Sequence, residues 1–136
     1  MATLAIDPGS KVGVAVLDDA GRLTVCSTYD WYKHHFELID TLRVICEEMR
    51  PKVVIEKPRK GSQRIRSRSL GHCEVKAMTL AAVCEHFGAK VDLVAPIYAL
   101  TKNRNAFKSF FPYWKDRTSN HARDAACLGR MYDCGR

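Results

Sequence analysis

The sequence has no long apolar run. None of its hydrophobic stretches approaches the roughly 20 residues that a helix needs to cross a bilayer, although 46% of its 136 residues are hydrophobic. The N-terminal segment also lacks the charged and then apolar pattern of a secretory signal. We therefore expect a cytoplasmic protein without a membrane partner, and a chain of this length predicts a single domain over residues 1–136.

Paired cysteines are missing as well. The six cysteines form no CxxC pair and have no zinc-finger spacing; they are Cys26, Cys46, Cys73, Cys84, Cys127 and Cys134. They fall within apolar patterns, where a free cysteine packs as a small hydrophobic residue. We expect reduced, structural thiols, with a zinc site or a disulfide framework as the alternative.

Acidic residues are absent from residues 57–68, which carry six bases. By contrast, residues 18–48 hold seven acids and three bases, in a chain whose net charge is +7. An uneven charge distribution of this kind indicates a surface that faces a polyanion such as nucleic acid.

Short apolar runs between turn residues predict the first strands. Residues 4–6 and 12–17 flank Pro8-Gly9-Ser10, a pattern typical of a β-hairpin. Residues 22–28 predict a third strand, which extends the hairpin to an antiparallel meander. Asp7 stands where the first strand ends. Because a buried carboxylate needs compensation, Asp7 either binds a metal ion or caps its own turn.

The next segment predicts a crossover. Residues 35–49 have the pattern of an amphipathic helix that Pro51 ends. Residues 52–56 predict a buried strand, which should lie parallel to the first strand because a helix connects the two. Glu56 then shares with Asp7 the sheet edge at which both strands end. The apolar face of the helix is predicted to comprise Phe36, Ile39, Leu42, Cys46 and Met49.

Five further segments complete a predicted α/β fold with a mixed five-stranded sheet flanked by helices, in which three antiparallel strands precede two parallel ones. In order, they are a basic loop over 58–72, a helix over 73–87, a strand over 91–95, a short basic helix over 101–111 and a helix over 120–132. Gly88 is expected to follow the end of the first of these helices, and Ser119 or Asn120 to cap the last. The helix over 73–87 has among its apolar positions Val75, Met78, Ala82 and Phe87.

The last predicted helix brings two polar groups to one face. His121 and Asp124 are three residues apart, and the small residues that follow them allow the helix to lie very close to a sheet. If it packs near the ends of the first and fourth strands, these two residues converge with Asp7 and Glu56. Three carboxylates that meet repel one another unless a cation lies between them, and carboxylate oxygens suit Mg²⁺ or Mn²⁺. The chemistry such a site favours is two-metal phosphodiester hydrolysis.

Each of these residues also has a simpler interpretation. Asp7 is compatible with a turn residue, His121 with a solvated residue at a helix start, and Asp124 with a first-turn acid favoured by the helix dipole. Glu56 needs solvent or a partner, for which Lys57 or an arginine of the loop would serve.

Three segments resemble, in order and on matching elements, the RuvC family of Holliday-junction resolvases, which has the RNase H-like fold. They are AIDPGSKVGVAV, VVIEKP and HARDAACLG. In this family the glutamate ends the fourth strand, whereas ribonuclease H itself carries its glutamate on the first helix. The third segment is similar to the family's closing pair, in which an Asp or a His precedes an Asp by three residues. In this chain the first member of the pair is a histidine.

The resemblance implies a homodimeric endonuclease that nicks two strands of a four-way DNA junction with two Mg²⁺ ions per active site, for which Mn²⁺ would substitute. Asp7 would bridge both ions, Glu56 and Asp124 would hold one each, and His121 would complete the set or orient the attacking water. No small-molecule cofactor is expected. The chain is short for the bacterial housekeeping enzyme, which suggests a compact, phage-encoded member.

The basic loop follows Glu56 directly and is therefore expected to overhang the site. Its phosphate contacts would position DNA without reading its sequence. The corresponding region in the family contains aromatic residues that stack on bases, and residues 57–68 contain none. The predicted DNA contacts are Lys11, Lys57, Arg59, Lys60, Arg64, Arg66, Arg68, Lys102, Arg104 and Lys108.

Three other functions compete with this one. A YqgF-type RNase H-like nuclease would act on RNA, but the Glu-Lys-Pro segment fits it poorly. A protein that grips branched DNA without cutting it would tolerate the loss of carboxylates. An actin-like ATPase needs two such domains and is too long for 136 residues.

Overall fold

A computed structural model of the chain describes residues 1–57, 67–95 and 104–134. The elements follow in the order β1 (Thr3–Pro8), β2 (Val12–Leu17), β3 (Leu23–Tyr29), α1 (His35–Met49), β4 (Lys52–Glu56), α2 (Ser67–His86), β5 (Lys90–Val94), α3 (Arg104–Phe110) and α4 (Asn120–Cys134). The strands form one sheet in the order β3-β2-β1-β4-β5. β1, β2 and β3 pair antiparallel, whereas β4 is parallel to β1 and β5 to β4. The predicted mixed sheet is therefore confirmed.

Helices cover both faces of this sheet, which explains why its central strands are apolar without alternation. Leu4 and Ile6 face α1 and α2, and they belong to one core cluster with Leu38 and Leu42 of α1. Ala5 faces the other side, where it packs with residues of β4 and α4. None of the described helices combines the length and hydrophobicity that a bilayer span requires.

The small residues of α4 let this helix approach the sheet very closely, as predicted. A Cβ atom added to Gly13 of β2 would lie 1.9 Å from the carbonyl oxygen of His121. A Cβ atom on Gly129 would lie 3.1 Å from that of Ala5. The backbone of α4 therefore rests directly on β1 and β2, and this contact sets the position of the helix start.

Most predicted bounds are confirmed, with one clear exception. α2 begins at Ser67, so residues 67–72, predicted as loop, are helical. Gly71 lies inside this helix; a glycine costs a helix only about 1 kcal/mol, so it does not end α2. Gly88, predicted to follow the helix, has a φ of 89°. The rest of the predicted basic loop, residues 58–66, and the predicted start of the short helix, residues 101–103, lie outside the described residues.

The predicted buried faces of α1 and α2 are partly wrong. α1 buries Leu42 and Cys46 as expected, but Ile39 and Met49 are exposed and Phe36 is 78% exposed. Phe87, which directly follows α2, packs against the core as expected. Within α2, Ala82 is exposed, as are Val75 at 63% and Met78 at 67%. The buried residues are instead Leu38 and Ile45 in α1, and Ala77, Leu80, Ala81 and Cys84 in α2. Each helix has apolar residues on more than one face, and only packing selects the face that meets the sheet.

The cysteines agree with the prediction of reduced thiols. Those whose side chains the structure describes are free: Cys26, Cys46, Cys73, Cys84 and Cys127. The side chain of Cys134 lies outside the described residues.

Candidate active site

Asp7 and Glu56 lie side by side at the carboxyl edge of two parallel strands. Ile6 of β1 pairs in register with Ile55 of β4, so the next residue on each strand is one of these acids. Neighbouring strands are only about 4.8 Å apart. Their apolar neighbours anchor both strands in the core, and each carboxylate therefore stands at a fixed point of the edge.

The first turn of α4 brings His121 and Asp124 to the same edge. The Ser119 hydroxyl caps the helix by accepting a hydrogen bond from the Ala122 amide at 3.2 Å. His121 Nδ1 lies 3.6 Å from Asp7 Oδ2, and its Nε2 lies 3.2 Å from the hydroxyl of Ser10. The imidazole is thus held between β1 and the turn that follows it.

The carboxyl groups of the site influence one another's pKa. Burial raises the pKa of Glu56 to about 7, and the charges of Asp7 and Asp124 add to this shift. Burial and the charge of Asp7 likewise raise the pKa of Asp124 to about 6, against the opposing effect of His121 and Arg123. Mutual electrostatic effects of this size indicate that the three acids share one poorly solvated neighbourhood.

The site favours the charged form of His121, whereas it disfavours the charged forms of Glu56 and Asp124. Contact with the Asp7 carboxylate raises the pKa of His121 above its ordinary value, whereas burial and the charge of Lys11 oppose the rise. The contact with Asp7 therefore favours the charged form of the imidazole.

The carboxylate oxygens of the site are ligands that a hard divalent cation prefers. Crowded carboxylates with raised pKa values are groups whose repulsion a cation relieves. However, among the residues that the structure describes, no three His, Cys, Asp or Glu side chains are already arranged as a metal site. The four residues therefore share a neighbourhood without forming a closed coordination shell.

Comparison with known proteins identifies the architecture. No protein-family model matches the chain, and no curated protein sequence matches it. The structure of T. thermophilus RuvC in complex with a Holliday junction substrate has a TM-score of 0.70 at 15% identity, over 98% of this chain and 92% of that one. Another Thermus thermophilus RuvC structure has a TM-score of 0.65 at 16% identity, over 99% of this chain and 97% of that one. The chain has the RuvC fold.

The RuvC fold confirms the RNase H-like architecture that the three sequence segments predicted. At 15% and 16% identity the likeness establishes the fold, and one fold can host several functions. Any activity of this chain therefore depends on the residues at the edge of β1 and β4.

Sequence reasoning missed one residue that supports this edge of the RuvC fold. Lys76 of α2 is only 5% exposed. Its ammonium group donates hydrogen bonds to the carbonyl oxygens of Gly9 at 3.1 Å and Ser10 at 3.5 Å, and it lies 5.9 Å from the ring centre of Trp31. A signal was available in the sequence, because Lys76 is spaced by four residues from Leu80 and would lie on the same helix face.

Few of the predicted DNA contacts can be located. Lys11, Lys57 and Lys108 are exposed. The side chains of the others lie outside the described residues, namely Arg59, Lys60, Arg64, Arg66, Arg68, Lys102 and Arg104. The DNA surface therefore remains a prediction from charge for most of its length.

Proposed function

We propose that the chain is a Mg²⁺-dependent crossover junction endodeoxyribonuclease, a Holliday junction resolvase that nicks four-way DNA in recombination, repair or phage DNA processing. The observation that carries the proposal is the meeting of Asp7, Glu56, His121 and Asp124 at one edge of the sheet. The RuvC fold supports it, since a protein of this fold is described in complex with a Holliday junction substrate.

We assign the binding of two Mg²⁺ ions, or Mn²⁺ in their place, to Asp7, Glu56 and Asp124. Bound Mg²⁺ would supply an activated water and neutralise charge at the scissile phosphate. The charge of Asp7 acts on both other acids and on His121, and Asp7 Oδ2 lies 3.6 Å from His121 Nδ1. His121 either completes the donor set or orients the attacking water, and Ser10 fixes the ring for either task.

We also propose that the enzyme is a homodimer. Large apolar side chains are exposed on both helices that cover one face of the sheet, Phe36 and Ile39 on α1 and Val75 and Met78 on α2. We take these four together as the uncovered apolar surface. A cavity of about 290 Å³ between these helices has a mainly apolar lining that includes Trp31, Leu38 and Val83. Contiguous exposed apolar surface is uncommon on monomers. A second copy related by a twofold axis would cover this surface and provide the second active site that paired nicks require.

The test is a comparison of substrates. The purified protein is incubated with end-labelled four-way, forked and linear DNA and with structured RNA, with Mg²⁺, with Mn²⁺ and with EDTA, and the nicks are mapped. We expect symmetric nicks in the four-way junction only when a divalent ion is present. The Asp7→Asn variant should bind the junction at least as tightly and leave it uncut. Cleavage of RNA in preference to the junction would contradict the proposal.

A second candidate is a protein that binds branched DNA without cutting it. It is favoured by the fact that no three described side chains form a ready metal site. In that case the junction would be bound with equal affinity by the wild type and by Asp7→Asn, and no nicks would accumulate with either metal.

A further inference from the structure

A large pocket lies beside the start of α4. It has a volume of about 800 Å³ and is enclosed by α3, the segment over 111–119 and the first turn of α4. Its lining includes Lys108, Trp114, Lys115, Arg117, Ser119 and Arg123. Of these, only Lys108 belongs to the predicted DNA contacts.

The pocket is strongly basic. It is lined by four cationic side chains and one acid, Asp116. Arg123 is held in place, since its guanidinium donates to the Thr118 carbonyl at 2.6 Å and to Asn120. Lys115 and Arg117 are exposed, and no carboxylate among the described residues pairs with either of them. A concave surface with uncompensated positive charge attracts anions.

The wall of the pocket also carries an unsatisfied donor. Trp114 Nε1 is closed off from solvent and has no hydrogen-bond acceptor within the described part of the chain. Leaving a buried donor unpaired is unfavourable, and natural proteins rarely do so without a reason. Because solvent does not reach Nε1, a ligand in the pocket meets the ring of Trp114 and not this donor.

The pocket is close enough to the candidate active site for one strand to reach both. Ser119 and Arg123 line the pocket, while His121 and Asp124 of the same helical turn lie at the active site. An α-helix with its side chains is about 10–12 Å across. The pocket and the candidate active site therefore lie within about the width of one helix of each other, which a short stretch of one strand can span.

We propose that this pocket binds an unpaired nucleotide of the DNA strand that lies at the candidate active site. Lys115, Arg117 and Arg123 hold its phosphate, and the indole ring of Trp114 contacts its base. Single-strand sites combine cations with an aromatic platform in this way. Residues 57–68 supply only the cations, whereas the pocket supplies both. The choice of DNA rests on the proposed function.

Tryptophan fluorescence tests the pocket without any nuclease activity. The chain has two tryptophans, and Trp31 packs against the other face of the sheet, so Trp31→Phe leaves Trp114 as the only reporter. In EDTA, a short oligothymidylate should change the Trp114 emission and saturate. The double variant Lys115→Ala/Arg117→Ala should bind at least tenfold more weakly and show a shallower dependence on salt. Should Trp31→Phe fail to fold, ¹⁹F spectra of the fluorotryptophan-labelled wild type report the same contact.

The control variant is Lys33→Ala/Lys90→Ala, which removes the same charge from exposed positions outside the pocket lining. It should bind the oligonucleotide within twofold of the wild type. Equal weakening by both double variants would reduce the effect to net charge and overturn the proposal, as would an unchanged Trp114 signal. If inorganic phosphate alone saturated the Trp114 signal, the pocket would be a simple anion site and the proposed nucleotide site would be wrong. Junction nicking is assayed separately. If the pocket binds the oligonucleotide but the protein cuts no junction, only the proposed nuclease activity is refuted.

Discussion

Glu56 and Asp124 are carboxyl groups that the fold keeps partly buried and close to another acid, with pKa values of about 7 and about 6. Their ionised forms are therefore less favourable in the folded chain than in the unfolded chain. Residues that weaken the fold in this way are typical of functional sites rather than of structural ones. One prediction at the residue scale uses this property, and a second concerns His121.

Replacing Glu56 should stabilise the metal-free protein at neutral and higher pH. As the pH rises from the ordinary value of 4.5 to about 7, the unfolded state loses the proton of Glu56 first, so the free energy of unfolding falls. His121 acts in the same direction, since a histidine with a raised pKa stabilises the fold at low pH and loses that contribution as the pH rises through its folded pKa. Glu56→Gln should remove part of the decline, on the order of 1–3 kcal/mol at pH 8.

Urea unfolding between pH 4.5 and pH 8 in EDTA measures this effect. The exposed Glu37 supplies the matched control, because Glu37→Gln makes the same chemical change outside the site. Parallel stability curves for wild type and Glu56→Gln would show that Glu56 is not in an unfavourable environment.

The charge of Asp7 should control the protonation of His121. Because contact with Asp7 is the main cause of the raised histidine pKa, Asp7→Asn should lower that pKa. NMR titration of the imidazole signals of the variant and the wild type gives the direct measurement. His86, which is exposed at the end of α2, serves as an internal reference that should not shift. An unchanged His121 titration would mean that the two side chains do not interact in solution.

At the scale of elements, the position of the site depends on two contacts made by helices. α4 fits onto β2 because Gly13 has no side chain, and α2 holds the turn after β1 through the ammonium group of Lys76. Each contact has a separate consequence when it is changed.

Adding one methyl group at Gly13 should displace the start of α4. The new Cβ atom would overlap the His121 backbone, which cannot rotate away as a side chain can. Gly13→Ala should therefore lower stability by about 3 kcal/mol, at the upper end of overpacking costs. Gly129→Ala is the matched control, because its Cβ meets only side-chain atoms at 3.1 Å or more and should cost less. Equal thermal stabilities would contradict the packing described here.

Replacing Lys76 should affect the rate of cutting more than the binding of DNA. Lys76→Met keeps the length of the side chain but loses the hydrogen bonds to Gly9 and Ser10, which allows the turn beside Asp7 and His121 to shift. Small misplacements of catalytic groups reduce rates by up to about 100-fold. We expect a 10- to 100-fold lower single-turnover nicking rate and an unchanged junction Kd. Lys90→Met, at an exposed lysine, should change neither. A parallel loss of binding would assign Lys76 to DNA contact instead.

At the scale of the whole molecule, the uncovered apolar surface of α1 and α2 is expected to hold the dimer together. Met78 is exposed, so Met78→Glu should not disturb the fold of the monomer but should place a charge in the interface. Light scattering after gel filtration should give a dimeric mass for the wild type and a monomeric mass for the variant. Lys33→Glu, which lies outside the four residues that define the surface, should remain dimeric. A wild type that is monomeric at every concentration would refute the dimer.

Several features were determined by the sequence alone. Hydrophobic periodicity and turn residues were enough to predict β2, α1 and β4 with their observed bounds. The helix between β1 and β4 requires these strands to be parallel. Because parallel strands end at the same edge of a sheet, this connection also predicts that Asp7 and Glu56 share one edge. These features are local, or follow from the connection of one element to the next, which is why they can be read in order along the chain.

Only the tertiary structure decided the remaining features. It selected which face of α1 and α2 is buried, buried Lys76 beneath the turn after β1, and enclosed the basic pocket beside Trp114. Each of these depends on how distant segments pack together, and a helix with apolar residues on two faces is compatible with either arrangement until its neighbours are present. The chain therefore encodes its strands and its acidic edge locally, whereas packing determines the surfaces around that edge.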